Sequence, residues 1–136
     1  MSAPSDAHVA LPTDMELVLK VVPMPNNCNA SGDIFGGWVM SQVDLAGSVI
    51  PARVAQGRVA TVAVKEFVFK QPVHLGDILS LYAATTHIGR TSVTVRVEVY
   101  SERLHRQGRY TKVTEASLTY VAITENGEPR PLPPQD

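Results

Sequence analysis

The longest stretch with helical spacing of apolar residues lies between Asn29 and Gln56. One stripe of this stretch, at spacings of three and four, holds Phe35, Val39, Val43, Ala46 and Val49 or Ile50, and the apolar surface extends further to Trp38, Met40 and Leu45. A helix that is apolar on most sides is normally a buried helix. The pattern therefore predicts one long central helix that the rest of the chain covers.

A second stripe of the same helix is made of small and polar residues, namely Gly37, Ser41, Asp44, Gly47 and Ser48. Asp44 has no Lys or Arg three or four positions away with which it could pair. A buried carboxylate is costly unless it has a chemical role or a distant partner. Asp44 is thus a candidate catalytic residue, and the alternative is a core carboxylate satisfied by Ser41, Ser48 or a backbone amide.

The start of the predicted helix combines capping residues with glycines. Ser31 and Asp33 are placed to accept hydrogen bonds from the first-turn amides. Gly36 and Gly37 leave that turn without side chains, so its amides could polarise a carbonyl or stabilise an oxyanion. The alternative role of the two glycines is close packing against a strand.

Beyond the helix, which we expect to bend at Pro51 and to end at Gly57, the pattern changes to alternating valine, threonine and aromatic residues. Strands are predicted at Glu16–Val22, Val59–Phe69, Ile78–His87, Ser92–Tyr100 and Tyr110–Thr124. A switch of the alternation near Lys65 predicts a bulge in the second strand. Short connections make the later neighbours antiparallel.

These elements predict an α+β protein in which a curved antiparallel sheet of five to six strands wraps one long central helix. We expect a loose N-terminal segment at 1–13, one domain at 14–124 and a Pro-rich extended tail at 125–136. A single sheet layer leaves edges and an outer face uncovered. Self-association is the usual remedy.

Composition and charge exclude several classes of protein. The formal net charge is −1, so there is no overall basic field that would attract nucleic acid, and no run approaches the ~20 apolar residues of a membrane span. Cys28 is the single cysteine, which fits a reducing compartment. Ten of the twelve basic residues lie between Arg53 and Lys112, so local binding of an anionic ligand remains open.

Other catalytic arrangements find little support in the sequence. There is no Gly-x-Ser-x-Gly elbow and no phosphate-binding GxxxxGK[ST] loop. The four histidines lack the spacing of a metal site, and none lies in the helix region beside Cys28 to activate its thiol. We therefore predict neither a metal nor a cofactor.

Several ordered motifs together resemble one family. They are NASGDIFGGWVMSQVDLAG at 29–47, GRVATVAV at 57–64, FKQPVHLGD at 69–77, GRTSV at 89–93 and NGEPRPLP at 126–133. This set resembles the hotdog fold and, within it, the YciA-type acyl-coenzyme A (acyl-CoA) thioesterases, a cytosolic branch. The resemblance implies a cytoplasmic enzyme that hydrolyses acyl-CoA to a free acid and CoA, with CoA as product and no cofactor.

The resemblance also implies roles for individual residues. Asp44 would be the catalytic carboxylate, acting as general base toward water or as nucleophile on the thioester. Asn29 would position substrate or water, although an Asx-turn is the commoner role of an asparagine in a turn. An amide near Gly37 would polarise the thioester carbonyl, with Gly36 and Ser41 beside the substrate. The site would lie between two subunits of a homodimer, with Asn29 and Asp44 from different chains, and three dimers would form a hexamer.

A site for CoA needs cations and hydrogen-bond donors for its phosphates. The candidates are Arg58, Lys70 and the loop Gly89, Arg90, Thr91 and Ser92. Arg103, Arg106 and Arg109 are better explained as solvated surface charges.

Two other functions compete with hydrolysis. Hydratases of the same fold resemble one another in using a histidine at the site, and the predicted helix has none. A non-catalytic acyl-CoA sensor would keep the glycines and lose the carboxylate, whereas Asp44 is present.

Overall fold

The computed structural model describes residues 8–135. Its elements in chain order are β1 (Glu16–Val21), a 3₁₀ turn (Pro25–Asn27), α1 (Gly36–Ala55), β2 (Val59–Phe69), β3 (Asp77–Ile88), β4 (Ser92–Arg103) and β5 (Thr111–Ala122). Residues 1–7 of the predicted loose N-terminal segment lie outside the described residues. Within residues 8–135, no helix has the length and apolar character needed to cross a membrane.

The strands form one five-stranded sheet in the order β1-β3-β4-β5-β2, and every neighbouring pair is antiparallel. The strand predicted at Ser92–Tyr100 is β4, and the valines that alternate along it, Val93, Val95, Val97 and Val99, are all fully buried on one face. They join Val39, Val43 and Ala46 of α1 in the core. The α+β architecture is therefore as predicted, with one helix across one face of an antiparallel sheet.

The predicted bulge in β2 is also confirmed. The register between β2 and β5 shifts between Lys65 and Val68, and Glu66 has a positive φ of 58°. A second shift lies between Thr61 and Ala63. Bulges bend a strand and re-aim its side chains, so β2 curves along the edge of the sheet.

The predicted capping of α1 by Ser31 and Asp33 is wrong. The N-cap residue is Phe35, and no side chain caps the helix. The carboxylate of Asp33 instead lies beside the imidazole of His74, with Oδ1 and Nδ1 3.0 Å apart. A partner 41 residues away in the sequence has replaced the local capping interaction.

The end of α1 differs from the prediction by one residue. The helix continues through the buried Pro51 to Ala55, and the left-handed residue that ends it is Gln56, with a φ of 54°. Gly57 follows that residue rather than supplying the turn. Its lack of a side chain has a different reason, because a β-carbon there would lie 2.8 Å from the guanidinium of Arg130.

The single chain buries less of α1 than the sequence predicts. Val39, Val43, Ala46, Gly47, Pro51 and Ala55 are buried. Phe35, Met40 and Leu45 are 52%, 45% and 55% exposed, because one open sheet covers only one side of a helix. The remaining apolar side of α1 is left uncovered by the chain's own strands.

Candidate active site

Asp44 projects from the middle of α1 toward the ends of β2 and β5. Its Oδ1 accepts hydrogen bonds from the hydroxyl of Thr61 at 2.7 Å and from that of Tyr120 at 2.9 Å. The side chain is exposed in the single chain. The expected burial of the carboxylate is therefore not seen in the single chain, and its hydrogen-bond partners are two neutral hydroxyls rather than Ser41, Ser48 or a backbone amide. Asp44 forms no ion pair within residues 8–135.

The serines considered as partners of Asp44 form other bonds. The hydroxyl of Ser41 donates to the carbonyl oxygen of Trp38 at 2.6 Å, and that of Ser48 donates to Leu45 at 2.7 Å. Both bonds return to the preceding turn of α1, as short hydroxyl side chains commonly do in helices. Ser41 remains exposed on the same side of α1 as the candidate carboxylate.

Tyr120 reaches α1 from the core side. Its side chain is 1% exposed, and its hydroxyl also lies 2.8 Å from the main-chain oxygen of Asp44. Burial, followed by the hydrogen bond to Asp44, raises the pKa of Tyr120 well above its ordinary value. The hydroxyl therefore stays protonated, and a donor, throughout the physiological pH range.

The helix N-terminus offers free donors, as predicted. The amides of Gly36 and Gly37 have no acceptor within residues 8–135. A β-carbon on Gly36 would lie 3.4 Å from the ring of Phe69, whereas one on Gly37 would meet nothing within 4 Å. The distance at position 36 is an ordinary van der Waals contact, so packing within the chain requires glycine at neither position.

A cavity of about 310 Å³ lies beside these amides. Its lining is mostly apolar and consists of Ile34, Gly36, Val39, Phe69, Lys70, Gln71, Pro72 and Val73. Gly36 and Lys70, two of the predicted substrate-binding residues, thus lie together. An apolar cavity with a few polar groups at its edge is typical of a site for a small organic ligand.

Asn29 lies in the loop before α1 and is half-buried. Its Oδ1 accepts hydrogen bonds from the amides of Ser31 at 2.9 Å and Asp33 at 3.1 Å, which is the Asx-turn considered as its alternative role. Its side-chain NH₂ group has no acceptor within residues 8–135. Asn29 can therefore hold its loop through the oxygen and still donate to a bound molecule.

The donors and the carboxylate are far apart within one chain. Gly37 and Asp44 are separated by seven residues of α1, which corresponds to about 10 Å along the helix axis. Groups that act on one carbonyl must approach it to about 3 Å. A single chain therefore does not bring the helix amides and Asp44 to the same thioester.

The predicted CoA-binding residues fall into two groups. Arg58 and the loop 89–92 lie beyond the C-terminal end of α1, about 30 Å along the helix from Gly36 and Lys70. The guanidinium of Arg58 donates to the carbonyl oxygen of Glu125 at 2.9 Å, so this group is engaged by the tail. The side chain of Arg90 is exposed and has no partner within residues 8–135.

The loop at Gly89 is tightly built. Its amide donates to the carbonyl oxygen of Ser92 at 2.8 Å, and a β-carbon on Gly89 would lie 2.8 Å from the hydroxyl oxygen of Ser92. The carbonyl oxygens of Arg90 and Thr91 accept from Leu132 and Ala122, both at 2.9 Å. The loop backbone is therefore fixed while the Arg90 side chain extends into solvent.

Comparison with known proteins identifies the family. Residues 31–107 match the Thioesterase superfamily. The acyl-CoA thioester hydrolase YciA of Salmonella typhimurium is 44% identical over 122 residues, which cover 88% of this chain and 92% of that protein. The chain belongs to the YciA-type acyl-CoA thioesterases.

Solved structures agree with this assignment. The hexameric thioesterase y2039 from Yersinia pestis superposes on this thioesterase with a TM-score of 0.85 at 44% identity, covering 92% of this chain and all of the other. Cj0915, a hexameric hotdog fold thioesterase of Campylobacter jejuni, gives a TM-score of 0.83 at 41% identity, with coverages of 90% and 93%. This thioesterase has the hotdog fold, and the predicted family and fold are confirmed.

Two residues of the candidate site were absent from the predictions. Thr61 and Tyr120 are the donors to Asp44, yet a threonine and a tyrosine in strands are explained sufficiently by β-propensity and core packing. The sequence did contain one signal, since Thr61 lies within the motif GRVATVAV. Its contact with Asp44 depends on how β2 and β5 pair.

Proposed function

We propose that this acyl-CoA thioester hydrolase uses Asp44 as its catalytic carboxylate and the α1 amides near Gly37 as its oxyanion donors. The observation that supports this most is the state of Asp44, an exposed carboxylate held by two neutral hydroxyls with no cation paired to it in residues 8–135. The carboxylate is therefore held in a fixed orientation, and no cation neutralises its negative charge. A carboxylate in that state is suited to take a proton or to attack a carbonyl.

In the first of two routes, Asp44 acts as general base. It accepts a proton from water as the water oxygen bonds to the thioester carbon, and the amides near Gly37 stabilise the oxyanion. The carbonyl then re-forms as the carbon–sulfur bond breaks. The acid and CoA are the products, and the thiolate leaves without strong assistance from an acid.

In the second route, Asp44 is the nucleophile. A carboxylate oxygen bonds to the thioester carbon, the CoA thiolate leaves, and a mixed anhydride remains on the enzyme. Water then cleaves the anhydride to the free acid and restores the carboxylate. Mass spectrometry after a single turnover in ¹⁸O-labelled water tests this route, because only an anhydride intermediate allows ¹⁸O to enter Asp44.

The site that we propose lies between two chains. The helix amides, the NH₂ group of Asn29 and the cavity beside Phe69 belong to one chain, and Asp44 to the other, which removes the separation of about 10 Å along one helix. The exposed apolar side of α1, with Met40 and Leu45, supplies surface for such pairing. The hexameric relatives support a homodimer that assembles into a trimer of dimers.

Lys70 and the loop Gly89 to Ser92 lie about 30 Å apart within one chain, so for CoA we propose that Lys70 of the chain that supplies the helix amides and the loop of the other chain bind the phosphate-bearing part, with Arg90 as the main cation. Gly36 and Ser41 lie on the exposed side of α1 that the acyl thioester would cross. Arg58 contributes mainly by holding the tail. Arg90→Ala should raise KM in a salt-sensitive way with little change in kcat. Arg106→Ala is the matched control, because Arg106 is also exposed and lies on another loop.

We place the activity in the cytoplasm. The deciding experiment compares the hydrolysis of a panel of acyl-CoA esters by Asp44→Ala and by the native enzyme. Thiol release should fall by roughly 10³-fold or more while the oligomer and its unfolding midpoint are retained. Near-native turnover would end the assignment of Asp44. Hydration of an enoyl-CoA, or binding without thiol release, would favour the hydratase or the sensor.

A further inference from the structure

The two hydrogen bonds to the Asp44 carboxylate end on the same oxygen. Thr61 Oγ1 lies 2.7 Å and Tyr120 Oη 2.9 Å from Oδ1, and Oδ2 receives no hydrogen bond within residues 8–135. We propose that Thr61 and Tyr120 are positioning residues that fix the carboxylate through Oδ1, so that Oδ2 is the oxygen that reacts. This inference rests on the catalytic role proposed for Asp44.

The two donors form one unit of the sheet. Thr61 and Tyr120 are directly opposite each other in the pairing of β2 with β5. The register of β2 shifts immediately after Thr61, between Thr61 and Ala63. A bulge at that point changes the direction of the neighbouring side chain. This explains why the hydroxyl of Thr61, a strand residue, lies beside α1.

Gly47 gives the tyrosine access to the helix. A β-carbon at this position would lie 2.5 Å from the hydroxyl oxygen of Tyr120 and 3.3 Å from Val97. Glycine inside a helix is unfavourable relative to alanine, so its presence in the middle of α1 has a packing reason. The absent methyl group leaves the space in which the hydroxyl of Tyr120 reaches both Oδ1 and the main-chain oxygen of Asp44.

Occupation of Oδ1 also suits the chemistry of either route. A neutral carboxyl group protonated on Oδ2 keeps Oδ1 as a carbonyl acceptor, so both hydrogen bonds persist through the cycle. Protonation on Oδ1 would break at least one of them and leave the buried Tyr120 hydroxyl with the main-chain oxygen alone. The two donors therefore direct the proton, or the new bond to the acyl carbon, to Oδ2.

The test removes one hydroxyl at a time. Thr61→Val and Tyr120→Phe should each lower kcat by roughly 10- to 100-fold, the effect of losing a hydrogen bond to a charged group, while KM stays within about twofold. Thr61→Ser returns the hydroxyl and should rescue kcat relative to Thr61→Val. Thr61 is exposed in the single chain, so Thr61→Val does not depend on repacking of the core.

A double-mutant cycle tests the part played by Gly47. Gly47→Ala should lower kcat in the native enzyme by displacing the Tyr120 hydroxyl. In the Tyr120→Phe background, where no hydroxyl is present, the same substitution should lower kcat much less. Equal losses in the two backgrounds would mean that the methyl group acts on packing alone and would overturn this role.

Asp44→Asn, measured in parallel, separates this inference from the proposed function. If Asp44→Asn is inactive while Thr61→Val and Tyr120→Phe turn over at the native rate, the positioning role is wrong and the catalytic role of Asp44 stands. If Asp44→Asn turns over at the native rate, the proposed function itself is wrong. Loss of kcat in all three variants, with rescue by Thr61→Ser, supports both.

Discussion

The guanidinium of Arg130 donates a hydrogen bond of 2.8 Å from Nη2 to the main-chain oxygen of Ala55, the last residue of α1. Its Nε donates to Ile123 just after β5 at 3.2 Å. The last carbonyls of a helix lack partners within it and lie at the negative end of its dipole. Arg130 therefore joins the Pro-rich tail to both the helix and the sheet.

Arg130→Ala should lower the free energy of unfolding by about 1–2 kcal/mol, because it removes charge-assisted hydrogen bonds to carbonyls at the helix end. Urea denaturation at one fixed protein concentration measures this change. The control is Arg106→Ala, an exposed arginine for which a change within about 0.5 kcal/mol is expected. Equal effects of the two substitutions would show that the contact with Ala55 is not stabilising.

Gly37 gives a prediction in which stability and activity separate. Alanine has a helix propensity about 1 kcal/mol more favourable than glycine, and nothing in the chain lies within 4 Å of the added β-carbon. Gly37→Ala should therefore leave the thermal unfolding midpoint unchanged or higher. If the amides near Gly37 bind the thioester carbonyl, the methyl group obstructs it and kcat/KM falls at least ~10-fold.

Measuring both activity and the unfolding midpoint makes the result for Gly37→Ala specific. Lower activity with a lower unfolding midpoint would indicate damage to α1 instead of obstruction of the site. Native activity would mean that the substrate does not approach this turn. Gly36→Ala offers a comparison within the same turn, since its β-carbon would make an ordinary contact of 3.4 Å with the ring of Phe69 and should also be accommodated without a lower unfolding midpoint.

Much of the fold follows from residue patterns alone. The alternating valines of β4 are sufficient to predict a strand with one buried face, and the irregular alternation near Lys65 predicts the bulge after it. Such signals depend on neighbours along the chain. The predicted capping of α1 was wrong because Asp33 can contact either the first-turn amides or His74. His74 lies 41 residues away in the sequence, so the residues near Asp33 do not indicate that contact.

The candidate site also has some features that the sequence predicts and others that depend on the tertiary structure. Asp44 is identified by its unusual position on an apolar helix, and the free amides by the adjacent glycines. The contacts of Asp44 with Thr61 and Tyr120 span 17 and 76 residues. They depend on the register between β2 and β5, and a shift of β2 by one residue would turn Thr61 to the face opposite to that of Tyr120. Residue pattern does not determine that register.

The strand β2 forms an uncovered edge of the sheet with apolar side chains. Val62, Val64 and Val68 are 57%, 45% and 60% exposed. A long apolar edge strand favours pairing with another chain. We therefore expect Val64→Lys to reduce the mass of the assembly measured by light scattering, and to lower kcat in parallel if the site is shared between chains.

Leu104→Lys is the control for the edge. Leu104 is 56% exposed, similar to the β2 valines, but lies in the loop after β4. It should leave the mass and the activity unchanged. A Val64→Lys protein of native mass would exclude this edge from the subunit contact. A fall of the mass to that of a monomer with native activity would contradict a site built from two chains.

On β4 and β5, a network of charges makes stability depend on pH. The carboxylate of Glu115 pairs with Lys112 and, at 2.6 Å, with Arg96, which also contacts Glu98 at 2.9 Å. The hydrogen bond with Lys112, with a smaller contribution from Arg96, lowers the pKa of Glu115 from 4.5 to about 2. The pKa of Glu98 is also lowered, by its bonds to Tyr100 and Arg96, which outweigh burial.

The direction of the pH effect follows from these lowered values. Between about pH 4.5 and pH 2 the unfolded chain binds a proton at Glu115 that the folded chain does not, so acidification favours unfolding in this window. Glu115→Gln should therefore lower the unfolding midpoint at pH 7, and the gap to the native protein should narrow toward pH 2. Glu125→Gln, at an exposed glutamate in no ion pair of residues 8–135, should show no such narrowing. A constant gap for Glu115→Gln from pH 7 to pH 3 would mean that the Lys112 and Arg96 contacts do not favour the ionised carboxylate.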